Sequence, residues 1–132
     1  MIQYLDHPQG YSPGACNIGP AEIRRRQAAG VLGVTAAVVL GLLLIALDAP
    51  PLARLLVALP LAMGFTGFLQ ARLRFCANYG WRGIRNLGAI GDIERVEDAE
   101  ARRADRRKAL VIFGTAAAGG LAVALPFALL PI

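Results

Sequence analysis

The chain has 132 residues and a net charge of +5, from 14 Lys and Arg against 9 Asp and Glu. Its hydrophobic fraction of 56% and mean hydropathy of +0.52 exceed those of an ordinary soluble domain and suit a helical membrane protein. The basic surplus is therefore read as topology rather than as a nucleic-acid surface, because the cytoplasmic flanks of membrane helices collect Lys and Arg.

Residues 1–19 hold Pro8, Gly10, Pro13, Gly14 and Gly19, so no regular element is expected there. Tyr4, Leu5 and Tyr11 are expected to rest on the membrane surface or on a neighbouring segment. This leader is polar and runs 26 residues before the first apolar stretch, without a small-x-small cleavage site, so it does not read as a signal peptide. Arg24-Arg25-Arg26 lacks the bulky apolar residues that follow a twin-arginine signal. At Gly19-Pro20-Ala21-Glu22 a proline in the first helical turn and an early acid make a good helix start.

The stretch QAAGVLGVTAAVVLGLLLIAL, residues 27–47, carries no charge. As a helix its last twenty residues would rise about 30 Å, the thickness of a bilayer's hydrocarbon core. A chain this short can hardly surround a helix that is apolar on every side, so the stretch is expected to cross a membrane. Arg24, Arg25 and Arg26 then sit at headgroup level, where they snorkel to phosphates. The link Asp48-Ala49-Pro50-Pro51 turns the chain back as an antiparallel hairpin. A second span covers residues 52–69, with Arg54 near its outer end, and Pro60 predicts a kink. Gly64 and Gly67 allow close approach of a neighbouring backbone.

Residues 70–91, QARLRFCANYGWRGIRNLGAIG, interleave Arg72, Arg74, Arg82 and Arg85 with Phe75, Tyr79 and Trp81. Arginine beside amphipathic aromatics belongs at the bilayer–water boundary. The second helix is expected to extend past the membrane and break at Gly80 or Gly83. Residues 92–108 read as a charged helix, with Asp98 and Arg102 at i,i+4 spacing. A third span covers residues 109–130, with Thr115 its one polar side chain and Pro126 bending its outer end.

Orientation follows from the basic residues. Three of the fourteen lie in residues 22–26, ten in residues 70–108, and one, Arg54, in the opposite link. The expected architecture is an all-α integral membrane protein with three transmembrane helices. It has an irregular cytoplasmic segment (1–19), a first span with its juxtamembrane turn (20–47), a cytoplasmic loop (70–108) and an outside C-terminus.

Small residues repeat every fourth position at Ala29, Gly33, Ala37 and Gly41, and again at Ala116, Gly120, Ala124 and Ala128. Such rows let helix backbones pack closely, within the chain or against another copy or protein. Arg102, Arg103, Arg106, Arg107 and Lys108 adjoin the third span and would attract anionic headgroups. The acids at 92, 94, 97, 98, 100 and 105 offset this field and read as a solvated face. Nucleic acid is therefore not an expected partner.

Cys16 and Cys76 fall on the same predicted side without CxxC spacing, and His7 is near enough in sequence to join them. Two free thiols in a reducing compartment is the simpler reading; a metal or redox site is the alternative. The spans carry no Asp, Glu, His or Lys, which argues against ion or proton carriers. No nucleophile triad, Walker loop or HExxH occurs, so neither enzymatic chemistry nor a cofactor is expected. CNIGPAEIRRR and RFCANYGWRG stand out as motifs. The favoured function is a small bacterial inner-membrane protein that acts by association, as an accessory or assembly subunit or as a homo-oligomer, in contact with anionic lipid. An oligomeric channel lined by Thr35, Thr66 and Thr115 is a further alternative.

Overall fold

A computed structural model describes residues 10–132. Its first helix, α1 (Pro20–Ala46), starts behind Gly19 with Pro20 in the first turn. Asp48 adopts a left-handed backbone (φ 52°) just beyond its end. The Ala49 amide there reaches back to the Leu44 carbonyl, closing the helix in a Schellman-type turn. The return limb consists of α2 (Pro51–Arg54), a 3₁₀ turn (Leu55–Val57) and α3 (Ala58–Leu73). Pro60 accounts for the interruption. It sits in the first turn of α3, where its missing N–H leaves no bond unmade, and the residues before it take 3₁₀ geometry.

Beyond α3 come α4 (Ala77–Arg82), two short strands, β1 (Ile84–Arg85) and β2 (Glu94–Arg95), and a long α5 (Ala99–Ala128). The fold is therefore not purely helical, because β1 and β2 pair antiparallel. Three helices, Pro20–Ala46, Pro51–Leu73 and Ala99–Ala128, are long and apolar enough to cross a membrane.

Two expected boundaries move. The second helix does not run on to Gly80 or Gly83; it ends at Leu73, where Arg74 turns left-handed (φ 55°) and the Phe75 amide bonds the Gln70 carbonyl. The charged segment is not helical from residue 92. Its first part is drawn into the ribbon, where the Val96 amide donates to the Gly83 carbonyl. The helix begins only after Asp98, whose carboxylate caps the Ala101 amide at 3.1 Å. From there the basic cluster and the third span form one unbroken helix. Arg102 does not use Asp98 as its i,i+4 partner; its guanidinium donates to the Val96 and Glu97 carbonyls.

The middle limb is the hub on which α1 and α5 both pack. A Cβ on Gly33 would meet the Gly64 Cα at 2.5 Å and the Pro60 carbonyl oxygen at 2.9 Å. One on Gly67 would meet the Gly30 amide at 2.6 Å, so these two backbones are as close as glycine permits. On the other face, a Cβ on Gly120 would lie 2.9 Å from the Ala58 carbonyl oxygen. Ala116, Gly120, Ala124 and Ala128 are all buried, in line with Ala101, Asp105, Ala109 and Ile112 on the same face of α5.

In the first row Gly33, Ala37 and Gly41 are buried, but Ala29 faces outward and Gly30 takes its place. A row of strict fours advances about 40° per step around a helix, so its first member leaves the packed face. The small-residue rows are thus consumed inside the chain. What remains outside is bulky: Leu32, Leu42, Leu52, Leu59, Met63 and Leu129 are among the exposed side chains.

Arg54 locks the far end. It is buried, its Nε donates to the Ala49 carbonyl at 3.1 Å and its Nη1 to the Leu130 carbonyl at 3.2 Å, and Nη2 also reaches the Ile132 oxygen. One cation thereby ties the interhelical link to the residues that follow α5.

Replacing Gly33 by Ala is expected to lower stability by about 2 kcal/mol, because neither facing backbone can move away independently. Ala29→Leu should stay within about 0.5 kcal/mol of the parent. Thermal unfolding in detergent compares the two, and equal effects would contradict the packing described.

Candidate functional site: a buried polar network in the cap

At the end opposite Arg54 the chain builds a cap from residues 10–19, α4, the ribbon and the first turns of α5. Residues 10–19 do not lie across a surface. They turn back at Ser12–Cys16, and Ile18 pairs alongside Asn86 in a parallel bridge. Tyr11 is buried with Val96 and Ala101. Tyr4, Leu5 and His7 lie outside the described residues.

The centre of the cap is Glu22, which is fully buried. Its carboxylate accepts from Arg26 Nη1 at 2.9 Å, from the Tyr79 hydroxyl at 2.5 Å and from Asn86 Nδ2 at 3.1 Å. Arg26, one turn along α1, lies over the Tyr79 ring at 5.3 Å and donates from Nη2 to Cys76 Sγ at 2.9 Å. Asn17 completes the set. Its Nδ2 donates to the Cys76 carbonyl at 3.1 Å, while its Oδ1 accepts from the Cys76 amide at 2.7 Å. Gln70 takes the next free amide, that of Ala77, at 2.7 Å. These two side chains cap α4 and explain why the chain leaves the α3 axis where it does.

The two sequence motifs therefore belong together. CNIGPAEIRRR supplies Asn17, Glu22 and Arg26, and RFCANYGWRG supplies Cys76 and Tyr79. Their spacing, some sixty residues, is bridged by four direct side-chain contacts.

A second buried acid anchors the leader. Asp105, expected on a solvated face, is fully buried and accepts from the Tyr11 hydroxyl and the Gly14 amide, each at 2.7 Å. The Arg85 guanidinium lies over the Tyr11 ring at 4.8 Å. Burial, reinforced by Asp105, pushes the Tyr11 hydroxyl far above the usual phenol range.

The arginines expected at the interface divide into two groups. Arg26 is turned into the network, whereas Arg24, Arg25, Arg72, Arg74, Arg82, Arg103, Arg106 and Arg107 are exposed, and Lys108 and Arg102 are half-buried. Arg25 lies 3.7 Å from Glu22. Arg106 stacks over the half-exposed Trp81 at 5.7 Å and donates to its carbonyl at 3.2 Å. Arg103, Arg106 and Arg107 thus project from the cap, with Trp81 beside them.

Both thiols are free and buried. Cys16 donates to the Ile18 carbonyl at 3.6 Å, and burial pushes its pKa up. Among the described residues no three His, Cys, Asp or Glu side chains gather as metal ligands. Each carboxylate and amide in the network is already engaged, which is the chemistry of a clamp holding two helix ends and the leader. Of the channel-lining candidates, Thr35 and Thr115 are exposed, and Thr66 donates to the Ala62 carbonyl of its own helix at 2.6 Å.

The class this architecture defines is a small helical protein with three candidate membrane spans and one folded polar cap. No family model, curated protein or solved structure matches the chain.

Removing one partner from a buried ion pair costs about 3–5 kcal/mol. Glu22→Ala is accordingly expected to open the cap and make Cys16 and Cys76 react rapidly with a maleimide, whereas the parent reacts slowly until denatured. Fast labelling of the parent would contradict the clamp. Stability should also decline at high pH. Cys16 and Tyr79 are both raised by burial, Tyr79 also by Glu22. The unfolded chain ionises first, so stability is full below the ordinary thiol pKa of about 8.5 and falls as pH climbs past it and past the phenol value near 10. Denaturant melts across that range check the sign.

Proposed function

We propose that the chain is a multi-pass protein of a bacterial cytoplasmic membrane that acts by association, as an accessory or assembly subunit presenting its cap to a partner. The cap and the N-terminus lie on the cytoplasmic side, and the link at Asp48 with the end of α5 lies outside. Thirteen of the fourteen basic residues stand at the capped end, in accord with the positive-inside rule.

The observation that supports association through the cap is the division of surfaces. The small residues that drive helix pairing are used within the chain, between α1 and α3 and between α3 and α5. The outward faces of the helices offer bulky apolar side chains that suit lipid. The rigid cap instead displays Trp81, Arg82, Arg103, Arg106 and Arg107, and Trp and Arg are the residue types enriched where proteins bind one another.

Two measurements test this. With single cysteines in a background lacking the native pair, an impermeant maleimide should label Leu130→Cys in intact cells and Glu97→Cys only after permeabilisation; the reverse pattern would overturn the orientation. A photo-crosslinking residue at position 82 should capture a discrete protein in native membranes, whereas one at position 42 should capture lipid. Protein adducts from position 42 alone would place the contact on the helices and refute the role given to the cap.

A further inference from the structure

The end of α4 and the opening turns of α5 together present a cationic patch on the cap. Trp81 and Arg82 close α4, while Arg103, Arg106 and Arg107 stand at i, i+3 and i+4 on α5, and all five side chains are exposed. Arg106 joins the two helices: its guanidinium lies over the indole at 5.7 Å and its Nε donates to the Trp81 carbonyl at 3.2 Å. That bond leaves Nη1 and Nη2, the pair that meets both oxygens of a carboxylate, for another acceptor. Among the described residues every ion pair involves Glu22, with Arg25 or Arg26, so the four arginines of the patch have no acidic partner there. The acids of α5 do not neutralise them. Asp98 spends its carboxylate on the Ala101 amide, and Asp105 is turned inward onto Tyr11 and Gly14. Glu100 borders Arg103 and Arg107 and pairs with neither.

From this arrangement we infer that the patch receives an acidic segment of a partner protein, whose carboxylates pair with Arg103, Arg106 and Arg107 around Trp81. Charge complementarity selects the occupant. A second copy of the chain would bring the same cations against these, so the partner is a different protein. Height along α5 decides between a protein carboxylate and a lipid phosphate. The apolar run opens at Ala109, and Arg103 stands six residues before it, about 9 Å along the helix axis. The headgroup layer adds only about 5–8 Å to the hydrocarbon core on each side. The patch therefore reaches past the headgroups to where a partner protein stands. An electrostatic lipid anchor needs only mobile cations, whereas Arg106 is held on Trp81 before anything binds and loses little freedom on pairing. Tryptophan beside arginine is also the composition of the few positions that carry most of a protein interface's energy.

The inference rests on the cap being the docking surface, and it adds the chemistry of what docks. Trp81 is the one tryptophan of the chain, so its fluorescence reports on the patch alone. The full chain in a mild non-ionic detergent is titrated with a blocked helical peptide carrying four glutamates at i,i+4 spacing, with its glutamine analogue, and with phosphatidylglycerol. The glutamate peptide should shift the Trp81 emission and bind about tenfold more tightly than the glutamine analogue, less so as salt is raised. Arg103→Glu with Arg107→Glu should abolish that preference, and Arg103→Lys with Arg107→Lys should keep most of it. Arg24→Gln with Arg72→Gln, on α1 and α3, should leave it unchanged. Slow maleimide labelling of the buried thiols shows that each variant is folded. Equal affinity for the two peptides, equal loss in the patch and control variants, or displacement of the peptide by equimolar phosphatidylglycerol would each overturn the assignment. Any of these results together with a discrete protein adduct at position 82 would remove the acidic partner and leave the cap as the docking surface.

Discussion

A carboxylate without water around it is costly unless several donors replace the lost hydration, and the cap is organised by that requirement. Glu22 sits in the first turn of α1 with no exposed surface, and its donors come from α1, α4 and the segment behind β1. None of these elements can leave without stranding the charge. Asn17 adds a constraint of another kind. By pairing with both backbone groups of Cys76, it imitates a strand and fixes the leader to the start of α4. The end of α3, the direction of α4 and the docking of residues 10–19 follow from these two side chains together.

The helices are held by a different force. In a bilayer apolar side chains would gain little by leaving lipid for protein, so association of the three candidate spans would depend on close contact of backbones. Gly30, Gly33, Gly64 and Gly67 provide it between α1 and α3, and Gly120 with its alanine neighbours provides it between α3 and α5. The central position of α3 explains why its two faces are both small. It also changes what the rows mean for function. Had they been uncovered, pairing of helices with another protein would be the natural use; buried as they are, they build the unit that carries the cap. Arg54 at the other end plays the part that Glu22 plays in the cap, with carbonyl oxygens as its partners.

The helical frame was legible in the amino-acid sequence because its constraint is simple. A stretch that avoids charge over some twenty residues has few alternatives, and Asp48-Ala49-Pro50-Pro51 can only be a turn. Pro60 was legible as an irregularity, and the 3₁₀ turn before it is the form that irregularity takes. The cap was not legible in the same way. Contacts such as Glu22 with Tyr79 or Tyr11 with Asp105 join residues far apart in the chain and leave no periodic trace. Charge patterning moreover assigns Arg26, Tyr79 and Asp105 to a surface, since most such residues are exposed. The two motifs were visible individually. Each holds side chains that satisfy backbone or carboxylate groups (Asn17 and Arg26 in one, Tyr79 in the other), and that composition is the one available signal that they face each other.

The central claim is that Asn17 and Glu22 clamp the end of α3 and the start of α4 into a single rigid cap. Hydrogen–deuterium exchange of the detergent-solubilised chain tests it at the Cys76 and Ala77 amides, whose acceptors are Asn17 Oδ1 and Gln70 Oε1. The account predicts slow exchange at both amides in the parent, and loss of protection at Cys76 in Asn17→Ala while the amides of α1 beyond residue 30 stay protected. Rapid exchange at Cys76 in the parent, or protection that survives removal of the Asn17 side chain, would contradict it.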